Sequence, residues 1–292
     1  MQFVVHPVKP QSVSKTFIIF EKKKMLQLSQ IWIYPIKSLG GICLEKSKIT
    51  LRGLEHDRRW MLVDQNGIFI TQREHPQLAL FQPSIQGNLM TINHQDLGWG
   101  RVQFSLSQKN NSALIDVLVW EDAVKAQEVS PEISAWFAQI LGFSVRLVYM
   151  PHESLRPVDP AYAVSPTNHT SLSDGFPFLI IGQASLDDLN GRLKNPISMK
   201  RFRPNFVFTG GVAYEEEIWT KFTIGTQLFY GVKPSGRCTI TTVDPNTGKQ
   251  SGHEPLLTLS TYKKVGNKVI FGQNAIAHQE GAIAVGDAIL VC

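Results

Sequence analysis

Arg237 and Cys238 stand together in the segment Lys233-Pro234-Ser235-Gly236-Arg237-Cys238. A guanidinium beside a thiol favours thiolate, the form that attacks an electrophile or ligates a soft metal. Spacing alone leaves Cys238 open between a buried structural thiol, the commoner case, and a functional one. Asp244 follows six residues later, in Asp244-Pro245-Asn246-Thr247-Gly248. It either orients a site or delivers a proton, or it simply opens a β-turn. The other two cysteines, Cys43 and Cys292, read as inert. Three cysteines without a CxxC pair exclude a four-cysteine zinc site and a self-contained iron–sulfur cluster. An odd, sparse set argues for a reducing compartment, taken here as the cytoplasm. The eight histidines show no paired ligand spacing. There is no GxGxxG after a strand, no Walker A loop, no HExxH and no GxSxG.

The elements that must position Cys238 are mostly strands. Leu26 to Ile33 is a β-rich run ending at Pro35. Trp60–Val63 and Ile68–Thr71 flank Asn66-Gly67, a strong hairpin signal. Further strands are predicted at Leu89–Ile92, Val102–Leu106, Leu114–Trp120 and Ala123–Val129, with Asn110-Asn111 among the turns between them. The spacing fits a small barrel or curled sheet. After a strand at Ser144–Met150, the pattern predicts strands at Asn205–Thr209, Gln227–Val232, Thr239–Val243, Val269–Gly272 and Ala288–Val291. Cys238 would then sit at the mouth of a strand. One helix is well punctuated. Ser130 is an N-cap, Pro131 the first helical residue, and Gly142 the stop. Shorter helices are expected at Ser185–Leu193 and Pro255–Lys263. Trp32, Trp60 and Trp136 are expected in the core.

The chain has 292 residues, 43% of them hydrophobic and 18% charged, with a net charge of +5. This is a globular profile, not a fibre or a disordered tail. No apolar run approaches the roughly 20 residues of a membrane helix. The positive excess is too sparse for a nucleic-acid footprint; a pocket for an anionic ligand explains it as well. Residues 1–24 are basic and end in three lysines. They read as an upstream extension, or less readily as an organelle presequence, because they lack arginine.

Five segments in order resemble the MOSC (molybdenum cofactor sulfurase C-terminal) domain family. The branch is that of the mitochondrial amidoxime-reducing component and its bacterial relatives. The segments are Tyr34-Pro35-Ile36-Lys37-Ser38, Asp57-Arg58-Arg59-Trp60, Phe202-Arg203-Pro204-Asn205, the run around Arg237-Cys238, and Phe271-Gly272-Gln273. The resemblance covers Leu28 to Leu290. It implies a mainly β, α+β protein: an N-terminal MOSC-type β-barrel domain over 25–147, then a C-terminal MOSC β-barrel domain over 148–292 with a few short helices. It also implies a molybdenum–pyranopterin (molybdopterin) cofactor between them, bound directly through Cys238. Lys37, Ser38, Arg58, Arg203, Asn205 and Arg237 fall on positions that contact the pterin or its phosphate. Pyridoxal phosphate is a further ligand associated with domains of this kind.

The residue chemistry is compatible. A phosphorylated pterin carries about two negative charges. Lys37, Arg58, Arg203 and Arg237 are able to neutralise it, with arginine adding fork geometry. Any one of them alone would read as solvated surface charge. Arg73 either shapes the pocket or is a surface cation. The chain departs from the branch at Gly236, where a small hydroxyl residue is usual, and at Gly175-Phe176, usually Thr-Ser. The implied reaction is two-electron reduction of N-hydroxylated compounds such as amidoximes, hydroxylamines and N-hydroxylated bases. Electrons would come from a separate protein of ferredoxin, flavodoxin or cytochrome b5 type, because the cysteines are too few for a cluster. The rivals are a sulfur or cofactor carrier using a Cys238 persulfide, and a binding domain that lost its cofactor.

Overall fold

The computed structural model describes Met1 and residues 25–107, 113–250 and 252–292. The expected N-terminal extension, from residue 2 to 24, and the Asn110-Asn111 turn lie outside them. Among the described residues, no helix is long and apolar enough to cross a membrane.

The molecule is mainly β. Its largest sheet is ordered Ile42–Leu44, Gln27–Ile33, Phe206–Thr209, Phe178–Gly182, Lys268–Ala277, Gln227–Arg237, Lys221–Ile224, Ile289–Val291. Phe178–Gly182 and Phe206–Thr209 run parallel, while the other neighbours are antiparallel. A parallel pair needs a crossover, and the helix Gln183–Arg192 lies on that connection. The ends of the sheet meet: Gln27 bridges Ala288, and Ile289 N–H donates to Leu26 O at 2.9 Å. Inside, alternate residues interdigitate, with Phe178 stacked on Phe206 and Phe222 on Phe229.

The other half is built from two smaller sheets. One is ordered Trp60–Val63, Arg146–Tyr149, Asp122–Glu128, Ile115–Val119; the other is the meander Phe81–Gln86, Leu89–His94, Arg101–Ser105. The helix Pro131–Leu141 closes their core. Ser130 Oγ accepts from Ile133 N–H, and Gly142 takes the left-handed C-cap. Ile133, Phe137 and Leu141, one turn apart, are buried, and Phe137 meets Phe81 at 5.0 Å. The 147/148 division falls inside the strand Arg146–Tyr149. The first two strands of the chain, moreover, join the sheet of the C-terminal half.

Some expectations are corrected. Thr239–Thr242 is a 3₁₀ turn rather than a strand. Its β-branched residues suggest a strand, but their hydroxyls bond locally: Thr241 Oγ1 to Cys238 O at 3.0 Å and Thr242 Oγ1 to Thr239 O at 2.7 Å. Cys238 therefore ends the long strand Gln227–Arg237 and caps a tight turn. The turn at Asn66-Gly67 forms, held by Asp64 Oδ1, but its second arm makes only isolated bridges at Ile68 and Phe69. The last helix shrinks to Leu256–Ser260. Lys46–Thr50, Phe81–Gln86 and Phe178–Gly182 are strands the pattern did not mark. Trp60 is core, whereas Trp32 and Trp136 are half-buried.

Candidate active site

Four stretches far apart in sequence meet at the seam between the halves. Tyr34 N–H donates to Asp57 Oδ1 at 2.7 Å, Arg58 N–H to Tyr34 O at 3.0 Å, and Lys37 N–H to Trp60 O at 2.8 Å. Leu172 N–H reaches Arg58 O at 2.9 Å, and Ser171 Oγ reaches Asp57 O at 2.9 Å. From the fourth stretch, Asn205 Nδ2 donates to Asp57 Oδ2 at 3.1 Å. Asp57, 1% exposed, is the hub of this frame. Among the described residues, six non-glycines have positive φ, and three are Ser38, Arg58 and Arg203, at 70°, 49° and 55°. Left-handed backbone costs such residues roughly 1–2 kcal/mol each. It persists where surrounding structure enforces it, and it concentrates at functional sites.

The cations converge as the sequence suggested. Lys37 Nζ sits 2.5 Å from Asp174 Oδ1 and is almost fully buried. Arg58 Nη1 lies 2.5 Å from Asp57 Oδ2, and its Nη2 donates to Arg203 O at 3.2 Å. Arg203 Nη1 donates to Leu39 O at 2.7 Å. Arg237 Nη1 donates to Ser235 Oγ at 3.0 Å and its Nη2 to Phe202 O at 2.5 Å. The ring of Tyr34 lies under both Arg58 and Arg203, 4.4 and 4.2 Å from their Cζ atoms.

These groups form one electrostatic neighbourhood. Burial holds Lys37 below the usual lysine range, against the pull of Asp174. Burial pushes Arg203 down to about 10 and lowers Arg237, which feels Cys238, Asp174, Tyr34 and Arg58. Crowding by neighbouring atoms would raise the Asp174 carboxyl, although its side chain is 64% exposed, but Lys37, Trp120 and Arg73 together hold it well below its ordinary range. Lys37, Arg58, Arg203 and Arg237 thus face Asp57 and Asp174, leaving positive charge in excess.

Not every candidate points at the same task. The Asn205 amide is spent on the frame, donating to Trp32 O and Asp57 Oδ2 and accepting from Leu179 N–H. Asp244 Oδ2 pairs with Arg201 at 3.0 Å, while its Oδ1 accepts from Asn246 and Thr247 N–H. Ser38 offers its carbonyl to Gln72 Nε2 at 2.5 Å. Cys238 is exposed and free, as are Cys43 and Cys292. Partial burial raises the Cys43 thiol, in keeping with an inert residue. Arg73 stacks on Trp120 at 4.3 Å, and Trp120 Nε1 donates to Asp174 at 3.3 Å, so this pair walls the acidic side.

Sequence reasoning missed Asp174 and Arg156. Arg156, 3% exposed and paired with Asp122, donates to the carbonyls of Ser171, Ser173 and Asp174 and so shapes that turn. No local pattern marks either residue, because both act through contacts long in sequence. Ser235 supplies to Arg237 a hydroxyl one place before the usual one. At Gly236 an added Cβ would meet only the Lys268 side chain, at 3.3 Å.

The residues fit a phosphorylated pterin. An excess of buried and half-buried cations calls for an anion, and two buried polar atoms here, the Tyr34 hydroxyl and Arg237 Nε, have no partner. Among the described residues, no three His, Cys, Asp or Glu side chains converge as a metal site. A metal at Cys238 would therefore need ligands from outside the protein, which a pterin dithiolene provides. Pyridoxal phosphate fits less well, since the amine of Lys37, the buried lysine of this site, is held by Asp174.

Comparison with known proteins agrees with this geometry. Residues 25–144 match the MOSC N-terminal beta barrel domain and residues 167–290 the MOSC domain. The human mitochondrial amidoxime-reducing component 1 is 31% identical over 92% of this chain and 85% of its own. The mouse protein of that name is 31% identical over 90% and 81%. Rat mitochondrial amidoxime reducing component 2 is 30% identical over 90% and 82%.

Proposed function

The chain belongs to the MOSC-domain family, in the branch of the mitochondrial amidoxime-reducing components, and from that premise we propose that it is a molybdenum-cofactor oxidoreductase reducing N-hydroxylated compounds. The observation that carries the proposal is the surplus of cations, Lys37 buried and Arg58, Arg203 and Arg237 half-buried, with two unpartnered polar atoms, next to an exposed, free Cys238. Amidoximes, hydroxylamines and N-hydroxylated bases are the substrate class, as the relatives' names support for the first. The overall change takes up two electrons and two protons, cleaves N–O and releases water.

When bound, the molybdenum supplies the two-electron chemistry. The chain's own residues do the rest. Cys238 holds the metal through its thiolate, on a turn that presents it to solvent and so to substrate. Arg58, Arg203 and Arg237 neutralise the pterin and its phosphate, while Lys37 and Asp174 form the adjoining polar wall. Asn205 keeps the frame in register rather than touching the ligand. Asp244 fixes the turn after Cys238 and orients Arg201. Electrons arrive from a separate redox protein. Three free thiols suit a reducing compartment, cytoplasmic in this reading.

The test is purification from a host that makes the cofactor, as wild type and as Cys238→Ala, with molybdenum, pterin and amidoxime turnover measured. The wild type should carry near-stoichiometric metal and reduce substrate with an artificial donor. The variant should lose metal and turnover, yet melt within about 2 °C of wild type, because Cys238 is exposed. Retained turnover in the variant sinks the assignment. Bound pterin without any turnover in the wild type would favour a carrier.

A further inference from the structure

The strand that leads to Cys238 and the hairpin beside it carry charge of one sign. The segments 227–243 and 255–271 contain Lys233, Arg237, Lys263, Lys264 and Lys268, and no aspartate or glutamate. Gln227–Arg237 pairs with Lys268–Ala277, with Gly236 opposite Ile270 and Arg237 opposite Val269. One further step along that register sets Cys238 across from Lys268. On its other side the strand Lys268–Ala277 pairs with Lys264–Val265, Lys264 opposite Val269 and Val265 opposite Lys268, in a hairpin closed by Gly266-Asn267. Two of the lysines are engaged within the fold. Lys233 lies over the Tyr162 ring at 3.9 Å, and Lys263 pairs with Glu217 at 2.5 Å. Lys264 and Lys268 are exposed and, among the described residues, form no salt bridge. Val265, between them on the same hairpin, is 68% exposed. An apolar tip framed by unpaired cations, beside an exposed thiol, has the make-up of a protein–protein contact, with an apolar centre and a charged rim.

We propose that the hairpin Lys264–Lys268 docks the electron-donor protein, and that the donor meets it with an acidic face. The inference rests on the cofactor reading above and deepens it, by naming where the redox protein binds and the sign of its charge. A donor must bring its own redox centre close to the metal, and in that reading Cys238 holds the metal. The hairpin is a flank of Cys238 with positive charge that no carboxylate cancels. Such charge speeds encounter with an anionic partner and orients it on arrival. Each docking leaves the donor oxidised, until two electrons have passed to the site for one N–O cleavage. The contact is transient, and salt weakens it.

The test compares wild type with the double variant Lys264→Glu/Lys268→Glu, both purified from a cofactor-making host. Amidoxime turnover is driven by an artificial small-molecule donor and, separately, by reduced ferredoxin, flavodoxin and cytochrome b5, each chosen for net negative charge. Both lysines are exposed, so the variant should melt within about 2 °C of wild type. With the artificial donor its kcat and KM should match wild type. With the protein that serves wild type best, KM for the donor should rise about tenfold or more at low salt, and about 0.5 M salt should close most of that gap. An unchanged donor KM in the variant overturns the proposal. So does a wild type that turns over with the artificial donor but with none of the three proteins. Calorimetric titration of the oxidised donor into both proteins as purified gives a readout separate from turnover, and the variant should lose the binding. A wild type inactive even with the artificial donor defeats the cofactor reading, and this titration still decides on the hairpin. Binding to phosphatidylserine vesicles that the variant loses, with donor KM unchanged, would assign the lysines to a membrane surface and overturn the proposal.

Discussion

Two regions of this protein bury charge, and they do so in opposite ways. Glu216 is completely buried on the outer side of the large sheet. The chain itself satisfies it: Gly182 N–H donates to Oε1 at 3.1 Å, and Ser185 Oγ reaches both carboxyl oxygens at 2.8 and 3.0 Å. This carboxyl fixes the start of the helix Gln183–Arg192, whose N-cap is a glycine without a side chain to do so. Burial still pushes Glu216 up to about 7. The seam is different. Among the described residues, Lys37 and Arg58 pair with Asp174 and Asp57, Arg203 and Arg237 have no carboxylate partner in a salt bridge, and polar atoms of Tyr34 and Arg237 are left over. One charged site is complete within the fold and serves stability. In the reading proposed above, a ligand completes the other, and its charge imbalance is the feature that reading rests on.

The largest effect that tests this contrast is at Arg203. Arg203→Gln keeps the side-chain stem but removes the charge and fork. Pterin retention on dialysis should fall by a factor of ten to a hundred, roughly the value of a charge-assisted bond, while the cofactor-free protein keeps its melting temperature within a few degrees. A variant that holds pterin normally but unfolds easily would make the seam a structural site like that of Glu216.

Glu216→Gln should do the reverse, leaving pterin content alone and changing the pH dependence of stability. Between pH 4.5 and about 7 the folded carboxyl keeps a proton that the unfolded chain has released. The unfolded state binds fewer protons there, so stability falls as pH rises through this window. A shift of that size corresponds to about 3 kcal/mol. Urea melts from pH 4.5 to 8 should show the decline in wild type and a flatter profile in the variant. An identical decline in both would place its source elsewhere.

The smallest effect is expected at Gly236→Ser, which restores the hydroxyl usual in the family. The flexible Lys268 side chain, 3.3 Å from the added Cβ, need give only slightly, so stability should change by less than about 0.5 kcal/mol and metal content should not change. A shift in KM for bulky amidoximes would show that position 236 tunes access. A loss of metal would show instead that Ser235 and Arg237 depend on the glycine.

Much of the site was legible because its chemistry is carried by residue type. The cations of four motifs do converge, and Cys238 lies on an exposed turn where its spacing alone had favoured a buried thiol. The helix Pro131–Leu141 was equally legible, since Ser130, Pro131 and Gly142 act within one turn of the residues they punctuate. Thr239–Thr242 misled because β-branched residues favour strands unless their hydroxyls find a nearer carbonyl. Asp174 and Arg156 carried no local signal at all.

By itself the sequence determined the inventory: a thiol beside a guanidinium, an excess of cations, caps, turns and alternating strands. These follow from interactions among near neighbours, which sequence order preserves. Only the tertiary structure decided which charges are paired. It placed Lys37 against Asp174, spent Asn205 on the frame, and set Arg58 and Arg203 over the Tyr34 ring, whose hydroxyl has no partner. Pairing across more than a hundred residues depends on sheet register and on how burial prices each charge, and neither quantity exists until the chain has closed on itself.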